Sequence, residues 1–541
     1  MKRWLSLAVA MVMLLALVAL PAWAAPAPKD KQIARFNNGA EPETIDPAMS
    51  TGIPEANIEI NVFEGLTRIG KGDVPVPGVA YKWEISKDGK VYTFHLRKSK
   101  WSNGDPVTAH DFVYAWTRAL RPETASEYAY QLYYIKNAQA FNEGKIKDAS
   151  QLGVKALDDF TLQVTLEAPT PYFLFLCGFP TLMPVHKKFV EADPKGWFTK
   201  PETYIGNGPF KMAKWEHNSK IELVKNPLYW DAKKVKLEKV VISLIDSLTT
   251  EEAMFETNQL DILDNIPLPS MDRWKKDPGF KMDPMIGTYY YIVNCEKIKD
   301  KRVRQALFLG IDRETLVDKV RKNDGHIPAY AWAPPGFPDP TAKKKGDDFR
   351  KVGGDFITTG DFKKDVEKAK KLLAEAGYAD GKGLSVEILF NTNELHKKIA
   401  EFVQQQWKTN LGIDAKLSNQ EWKVYLDTRD TGNFQVARAG WIGDYVHPMT
   451  FMDMMVSGGG NNDSFWGNKK YDELIEKAKS SVDVKVGFQA MHEAEKILMD
   501  EMPIIPLTFY GNPNVYKPWI KGVNYSALGF VDFKNAWIEK H

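Results

Sequence analysis

The stretch from residue 384 to residue 419 constrains the fold most, because one helical pattern lies between two strand patterns. LSVEILFN and IDAKLSN are short runs of apolar and β-branched residues and predict strands. HKKIAEFVQQQWKTNLG has apolar residues at helical spacing and predicts a helix that ends at Gly412. A strand, helix, strand unit brings the chain back in its original direction, so the sequence predicts an α/β fold with a partly parallel sheet.

Upstream patterns predict a hairpin and two more helices. In WEISKDGKVYTFHL, Asp88 and Gly89 separate two runs of β-branched and aromatic residues, which is typical of a tight hairpin. In WSNGDPVTAHDFVYAWTRAL, Thr108 stands three residues before Asp111 and ahead of an apolar run at helical spacing, which predicts a capped helix. VEKAKKLLAEAGY predicts another helix, ending at Gly377. The charged run TAKKKGDDFRKVGGDF is expected to be a flexible insert.

The first twenty-four residues are typical of a secretory signal peptide. Lys2 and Arg3 precede an apolar run, and Ala22, Trp23 and Ala24 form a small-x-small cleavage signal. The apolar run is short for a membrane span, and no later run reaches about 18 unbroken apolar residues. No cysteine follows the run to accept a lipid. We therefore expect an exported, soluble protein without a lipid anchor.

Charge, length and cysteine content narrow the classes of protein. The chain has 72 basic and 70 acidic residues, and loss of the two basic residues in the signal leaves a net charge of zero, which does not indicate nucleic-acid binding. The mature chain, at about 515 residues, is too long for one core, so two or three lobes are expected. Cys177 and Cys295 could pair in an oxidising compartment, but both lie in apolar stretches, which favours buried free thiols.

No pattern in the sequence indicates catalysis. None of the histidines has the i, i+4 spacing of a zinc-binding helix, and neither a G-x-S-x-G nor a G-x-x-x-x-G-K-[ST] motif occurs. Asp453 near Asp444 could in principle form the carboxylate pair of a glycosidase, but chance pairs are frequent among 70 acidic residues. We therefore expect no cofactor, no metal and no catalytic residue, and an enzyme is the least favoured class.

Motifs spread over nearly the whole mature chain resemble those of one family. They are ETIDP, NVFEGL, DGKVYTFHLR, WSNGDPVTAHDFVYAW, GNGPF, NPLYW, TYYY, RVRQAL, NTNELHKKIA, QEWKVYLDTR, VARAGWIGDY and VYKPWI. These stretches closely resemble the family 5 extracellular solute-binding proteins of ABC importers. The central and C-terminal motifs look most like the oligopeptide-binding proteins of the Gram-negative periplasm.

The resemblance implies the periplasmic binding protein type II (Venus-flytrap) fold with an additional small lobe, three lobes in all. The first lobe would combine residues 25–63, 188–286 and 512–541. The small lobe would be residues 64–187, and the second ligand-binding lobe residues 287–511. Ligand would lie between the first and second lobes, which close over it by a hinge motion. The protein would be a periplasmic monomer.

The same resemblance gives Asp444 a role. In the oligopeptide-binding relatives, the aspartate at this position receives the α-ammonium group of the peptide, and the motif A-G-W-x-x-D-Y retains it here. A carboxylate flanked by Trp441 and Tyr445 and shielded by lobe closure loses several kcal/mol of hydration unless a cation accompanies it. The ligand can supply that cation. The alternative is that Asp444 caps a turn next to Gly443.

Basic residues are expected at the other end of the peptide. Arg438, His396 and Arg321 stand where the relatives place basic groups for the C-terminal carboxylate, at positions suited to peptides of different length. Arg321 replaces a lysine of the enteric relatives, which keeps the charge but changes the donor geometry. The alternatives are a surface position at the start of a helix for His396 and a structural ion pair for Arg438, including one with Asp444.

Between its two ends, the peptide is held in this family as an additional strand through main-chain hydrogen bonds, a mode that ignores sequence. The remaining expected ligand contacts are Tyr128, Thr288, Tyr290, Trp441, Ile442, Thr51 and Ile53. Thr51 replaces an acidic residue of the enteric relatives, which weakens any expectation of a preference for Lys or Arg side chains. Ile442 and Gly287 stand where those relatives have cysteines. Loss of both cysteines together is consistent with a disulfide pair in the relatives.

The favoured function is the substrate-binding component of an ABC peptide importer, which captures short peptides and delivers them to permease subunits in the inner membrane. A receptor of the same fold for a dipeptide, a murein peptide, a nickel complex or an oligosaccharide is the runner-up. Retention of both Asp444 and Arg438 favours a ligand with charged ends over a sugar.

Overall fold

The strand, helix, strand unit is present in the structure, a computed structural model that describes residues 25–541. Strands Val386–Asn391 and Ala415–Gln420 pair in parallel, and helix Glu394–Leu411 connects them. Gly412 ends this helix with a φ of +73°, a conformation that glycine adopts without strain. The prediction of a partly parallel sheet is confirmed.

This unit forms one end of a mixed six-stranded sheet. Its strands, in order across the sheet, are Ile327–Pro328, Ile504–Phe509, Gly287–Val293, Val436–Ile442, Val386–Asn391 and Ala415–Gln420. Every residue of Gly287–Val293 is buried, because the strand has neighbours on both edges. It runs antiparallel to Val436–Ile442, and Gly287 lies directly opposite Ile442. The two positions that the family resemblance suggests as a former cysteine pair are therefore neighbours here.

Two further sheets join segments that are distant in the sequence. In order, the strands of the first are Ile33–Asn37, Lys239–Ser243, Lys220–Lys225 and Phe210–Glu216, and those of the second are Ile262–Leu263, Asn512–Tyr516 and Phe280–Asp283. The buried side chain of Gln32 ties the start of the chain to its end. Its amide nitrogen donates to the carbonyl of Ile538 (2.8 Å), and its amide oxygen accepts from the N–H of Ile538 (2.9 Å).

A smaller antiparallel sheet contains the predicted hairpin. Its strands, in order, are Ala80–Ile85, Val91–Leu96, Thr161–Thr165 and Val154–Asp158. Gly89 lies in the turn of the hairpin with a φ of +70°, which explains the glycine. Thr108 and Asp111 form the expected reciprocal cap at the start of helix Ala109–Leu120. Both predictions are confirmed.

The remaining elements are helices and short ribbons. The longer helices are Ile53–Val62, Ala109–Leu120, Leu248–Glu256, Lys301–Leu309, Phe362–Glu375, Glu394–Leu411, Trp422–Asp430, Lys469–Ser480 and Val484–Glu501. Shorter ones include Glu127–Leu132, Ala138–Asn142, Phe173–Leu176, Lys187–Ala192, Met271–Trp274, Arg313–Thr315, Phe349–Gly353 and Met449–Met452. The ribbons pair Thr67–Ile69 with Pro75–Pro77, Ile520–Lys521 with Trp537–Ile538, and Asn524–Tyr525 with Val531–Asp532. The helix predicted to end near Gly377 is Phe362–Glu375.

The expected flexible insert is packed in its second half. The short helix Phe349–Gly353 lies there, and the ring of Phe349 stacks on His492 with 4.0 Å between centroids. The buried guanidinium of Arg350 lies 2.6 Å from a carboxylate oxygen of Glu495, which is fully buried. This half differs from the expectation because an aromatic contact and a buried ion pair anchor it, and neither shows in the local charge pattern.

Several expectations concern the cysteines and export. Cys177 and Cys295 are free thiols as expected, but only Cys177 is fully buried. No helix in the part of the chain that the structure describes is both long and apolar enough to cross a membrane. The signal-peptide prediction falls on residues 1–24, outside the described residues.

A buried ion pair joins helix Ala109–Leu120 to the N-terminal segment. The guanidinium of Arg118 donates to both carboxylate oxygens of Asp46 (2.8 and 2.6 Å), and the indole N–H of Trp197 also donates to Asp46 (3.1 Å). Asp46 is only 1% exposed, so its removal leaves a largely buried guanidinium without a partner.

We predict that Asp46→Ala lowers the free energy of unfolding by roughly 3 to 5 kcal/mol, the usual effect of breaking a buried pair on one side. Urea denaturation measures this loss. The control is Glu191→Ala, which removes an exposed ion pair with Lys187 and should cost less than about 1 kcal/mol. Equal small losses in the two variants would contradict the structural role of Asp46.

Candidate ligand-binding site

A cavity of about 320 Å³ lies between parts of the chain that are distant in the sequence. Its volume falls at the lower end of the range of about 300 to 1,000 Å³ for small-ligand pockets. The predicted ligand contacts that line it are Thr51, Ile53, Tyr128, Tyr290, Arg438, Trp441, Ile442 and Asp444. The predicted contacts Thr288, His396 and Arg321 do not line it. The structure therefore brings most of the predicted contacts together around one cavity.

Asp444 is a buried carboxylate that only neutral groups contact. One carboxylate oxygen accepts from the hydroxyl of Tyr128 (3.2 Å), and the other accepts from the side-chain amide of Gln131 (2.6 Å) and the hydroxyl of Thr450 (3.3 Å). Asp444 is 4% exposed. It forms no ion pair with any lysine, arginine or histidine of residues 25–541. The site supplies hydrogen bonds to this carboxylate but no compensating charge.

The electrostatic consequence is a carboxylate that is poorly stabilised in its ionised form. Burial, followed by the negative charge of Asp453, raises the pKa of Asp444 well above its ordinary value. The alternative role as a turn cap is not seen, because the donors to its carboxylate are side chains of Tyr128, Gln131 and Thr450. A proton or a ligand cation is needed to complete the site.

The end of strand Val436–Ile442 and the residues after it hold Asp444 in place. The indole N–H of Trp441 donates to the carbonyl of Thr450 (2.8 Å), and the backbone N–H of Asp444 donates to the hydroxyl of Thr450 (2.9 Å). Tyr445 is fully buried and stacks on Tyr172, with 4.6 Å between ring centroids. Large side chains before and after Asp444 therefore exclude water from the carboxylate.

Arg438 presents its charge to the same cavity. Its guanidinium lies within weak hydrogen-bond distance of the Asn391 side chain (3.4 Å) and the Tyr510 hydroxyl (3.5 Å), and over the ring of Tyr289 (5.0 Å). Its Nε is buried without a hydrogen-bond partner in the described chain. The alternative of an ion pair with Asp444 is not present. An incoming acceptor can therefore find unused donors on this guanidinium.

Arg321 lies outside the cavity and already has a partner. Its guanidinium is 2.8 Å from a carboxylate oxygen of Asp324 and 2.9 Å from Nδ1 of His326. Arg321 and Asp324 are both almost fully buried. The charge of Arg321 is thus balanced within the protein, and its role toward a ligand stays a prediction.

His396 lies in the first turn of helix Glu394–Leu411 and is half-buried. Its Nδ1 is 3.2 Å from the hydroxyl of Tyr289, the ring of which also lies under Arg438. Burial and the positive charges of Arg438 and Arg321 hold the pKa of His396 well below its ordinary value. His396 is therefore a neutral hydrogen-bonding group beside Arg438, and its role toward a ligand stays a prediction.

The tyrosine-rich strand contributes unequally to the cavity. Thr288 is fully buried, and its hydroxyl donates to the carbonyl of Trp332 (2.8 Å). Tyr290 lines the cavity and packs edge-on against Trp332. Across the cavity wall, Tyr128 and Trp441 stack with 6.2 Å between ring centroids. Of the two ligand contacts predicted on this strand, Thr288 and Tyr290, only Tyr290 lines the cavity.

Strand Val436–Ile442 has one free edge. Gly287–Val293 pairs with it along its whole length on one side. On the other side, Val386–Asn391 pairs with it only at Val436 and Ala437. Within the described part of the chain, the second half of the strand therefore has no neighbouring strand on that edge.

The free edge carries unpaired backbone groups into the cavity. The N–H of Gly443 donates to the carbonyl of Ile286 (2.9 Å). Because hydrogen bonding alternates along an antiparallel pair, the N–H and C=O groups of Gly440 and Ile442 point away from that neighbour. Gly440 and Ile442 both line the cavity. An extended ligand backbone can therefore pair with this edge.

Gln131 and Thr450 complete the Asp444 site and were not predicted. Gln131 stands three residues after Tyr128 on the short helix Glu127–Leu132, so a spacing of one helical turn from a predicted contact was an available signal. Thr450 follows Asp444 by six residues with no periodic pattern. Its role depends on a turn that local composition does not reveal.

Comparison with known proteins relates the whole chain to one family. The family model described as "Bacterial extracellular solute-binding proteins, family 5 Middle" matches residues 74–463. The periplasmic oligopeptide-binding protein OppA of Salmonella typhimurium is 42% identical over 521 residues, covering 95% of this chain and 93% of the relative. The structure of Haemophilus influenzae OppA in complex with RPPGFSPFR superposes with a TM-score of 0.89 at 36% identity, covering 95% of this chain and 100% of the other.

A third relative bears on the arrangement of the lobes. The Escherichia coli murein tripeptide binding protein MppA superposes with a TM-score of 0.88 at 37% identity, covering 95% of this chain and 100% of the other. Against the unliganded open form of MppA the TM-score is 0.63, again at 37% identity and with 96% and 99% coverage. Because identity and coverage hardly differ, the lower score reflects a different arrangement of the same fold in the open form. The present structure is therefore not in that open arrangement.

We predict that Asp444→Asn raises the thermal midpoint of the ligand-free protein at neutral pH. The folded state holds this carboxyl with a raised pKa, so folding stability falls as pH rises above the unfolded-state pKa of about 4. The asparagine removes that penalty, and the gain should vanish below about pH 4, where both states are protonated. Thermal scans across this pH range measure the difference.

The matched control is Asp427→Asn, which changes an exposed aspartate on helix Trp422–Asp430. It should leave the midpoint unchanged at every pH. A lower midpoint for Asp444→Asn at neutral pH would show that the buried carboxylate stabilises the empty protein, contrary to the electrostatics of the site.

Proposed function

This chain belongs to the bacterial extracellular solute-binding proteins of family 5, and we propose that it is the substrate-binding component of an ABC peptide importer, capturing short peptides in the cavity around Asp444. The fold is the expected periplasmic binding protein type II fold. The observation that carries the proposal is the buried, hydrogen-bonded carboxylate of Asp444 without a cation. A ligand with an ammonium group completes such a site.

In this proposal the α-ammonium of the peptide binds between the oxygens of Asp444. Pairing removes the unfavourable burial of an isolated charge, and the hydrogen bonds from Tyr128 and Gln131 keep the carboxylate oriented toward the cavity. The ammonium loses its own hydration on entry, so the pair forms only where other contacts also favour the peptide. A peptide with a blocked amino terminus has no group to match this site.

The C-terminal carboxylate of the peptide binds Arg438. Its guanidinium already faces the cavity and holds unused donors. His396 contacts the hydroxyl of Tyr289, the ring of which lies under Arg438, so it would be close to a longer peptide. Arg321 is already paired with Asp324 and would have to bind the peptide carboxylate in addition to that partner. We therefore propose Arg438 as the main anchor and His396 and Arg321 as anchors for longer ligands.

The middle of the peptide pairs with the free edge of strand Val436–Ile442. Main-chain hydrogen bonds to Gly440 and Ile442 would hold any sequence alike. Thr51, Ile53, Tyr128, Tyr290 and Trp441 would line the side-chain pockets, where water can adapt the fit. The protein would therefore require both charged ends of the peptide and would accept any sequence between them.

Membership of the family supports a further proposal about the lobes and the larger assembly. We propose the first lobe as residues 25–63, 188–286 and 512–541, the small lobe as 64–187 and the second ligand-binding lobe as 287–511. The lobes would open to admit peptide and close before the protein docks on permease subunits in the inner membrane. The protein would act as a periplasmic monomer with a cleaved signal and no lipid anchor, without covalent chemistry, cofactor or nucleic acid.

A second candidate is a receptor for a murein peptide. The observation that favours it is the superposition with MppA, which is almost as close as that with the peptide complex of OppA. Both ligands have an amino group, so Asp444 suits either. Binding of a murein tripeptide in competition with ordinary tripeptides separates the two.

The proposed function predicts that ligand-free protein is stabilised by pools of free tripeptides to pentapeptides and not by the same pools after N-acetylation. At a hundredfold excess over the dissociation constant, bound ligand adds about 2.7 kcal/mol of stability. Asp444→Asn should weaken the binding of free peptides by roughly 2 to 5 kcal/mol, the range for removing one partner of a buried charge pair. Equal stabilisation by both pools would remove Asp444 from the ammonium role, and no stabilisation by either would exclude a peptide receptor.

The proposed strand pairing predicts a loss of affinity when a backbone amide inside the peptide is N-methylated. Methylation removes the donor and leaves a buried acceptor unpaired, which costs about 1 to 3 kcal/mol. Calorimetry on a tripeptide series with methylation at one amide at a time measures the loss. A change of side chain at the same position is the control and should have the smaller effect. Unchanged affinity for every methylated peptide would contradict pairing with the free edge.

A further inference from the structure

A second buried carboxylate, Asp453, lies behind the Asp444 site. It is 1% exposed, and one of its oxygens accepts from the hydroxyls of Tyr134 (2.7 Å) and Tyr445 (3.3 Å). Its other oxygen is buried with no hydrogen-bond partner among the residues that the structure describes. Asp453 does not line the cavity. Its charge could therefore affect a ligand in the cavity only through space and not by direct contact.

Tyr134 and Tyr445 link Asp453 to the two chain segments that meet at Asp444, the proposed ammonium site. Tyr134 closely follows the short helix Glu127–Leu132, which carries the two side chains that donate to Asp444 from outside its own segment. Tyr445 is the residue directly after Asp444. One carboxylate oxygen of Asp453 thus binds a hydroxyl from each of the segments that meet at the site.

The charges around the two carboxylates do not balance. The ammonium of Lys479 lies 3.6 Å from Asp453, and it stands over the ring of Tyr134 at 5.2 Å. Asp444 has no such partner among residues 25–541. The other groups that contact the two carboxylates are uncharged: Tyr128, Gln131, Tyr134, Tyr445 and Thr450. Two carboxylates and one ammonium leave one negative charge in excess.

We infer that Asp453, held by Lys479, is a specificity-determining residue of the ammonium site, because it keeps one uncompensated negative charge there and thereby selects ligands with a cationic end. The inference rests on the proposed function of Asp444. Without Asp453, the ammonium of Lys479 would lose its partner, and its positive charge would offset the negative charge of Asp444 through space. A ligand cation would then gain little from the site. The effect of Asp453 on the pKa of Asp444 supports an electrostatic coupling between them.

The test is the ratio of affinities for a free tripeptide and its N-acetylated form. In Asp453→Asn, which keeps the shape of the side chain, the ratio should fall about tenfold or more, because the excess negative charge is lost. In the double variant Asp453→Asn with Lys479→Met, one negative charge again remains in excess. Its ratio should return to within about threefold of that of the unaltered protein.

The control is Lys477→Met, the same substitution at an exposed position of helix Lys469–Ser480. It should leave the ratio unchanged. If Asp453→Asn does not fold, the double variant becomes the test, because it leaves neither charge of this pair buried without a partner. Its affinity ratio must then match that of the unaltered protein.

Three outcomes separate the possibilities. An unchanged ratio in Asp453→Asn would overturn the inference while Asp444 keeps its role. A double variant as weak as the single one would also overturn it, because Asp453 would then act only through packing. An unaltered protein that does not distinguish free from acetylated peptide would overturn the proposed function itself and this inference with it.

Discussion

The carboxylate of Asp444 is removed from water without a cation beside it, and the surrounding structure is arranged around that charge. Tyr128 and Gln131 reach it from one segment and Thr450 from another, so its oxygens are hydrogen-bonded while its charge is not balanced. Desolvation makes this state unfavourable in the empty protein and makes an arriving ammonium correspondingly favourable. Because the donors come from separate segments, the site is complete only when those segments are close together.

The proposed site would recognise a peptide by different interactions at its ends and along its middle. Charge complementarity at Asp444 and Arg438 would require a free amino and a free carboxyl terminus. The free edge of strand Val436–Ile442 offers main-chain groups that are the same for every peptide. In this proposal the charged ends would set the class of ligand and its direction, and backbone pairing would accept any sequence between them. Broad peptide capture needs both features.

Local patterns predicted the local structure well, and they did not reveal charge balance. The strand, helix, strand unit and the cap formed by Thr108 and Asp111 depend on spacing within a few residues, which the sequence shows directly. Asp444 was identified through a family motif. The pairing of Arg321 with Asp324 and that of Asp453 with Lys479 were not predicted. Burial and compensation of a charge depend on contacts made in the folded chain, and periodicity carries no information about them.

The most direct measurement is the crystallographic distance from the amino nitrogen of a bound tripeptide to the carboxylate oxygens of Asp444. If Asp444 receives the ammonium group, the shorter distance will be about 2.7 to 2.9 Å, the length of a charge-assisted hydrogen bond, with no lysine or arginine of the protein at that carboxylate. A peptide bound with its amino terminus elsewhere, or Asp444 paired with a side chain of the protein, would contradict this.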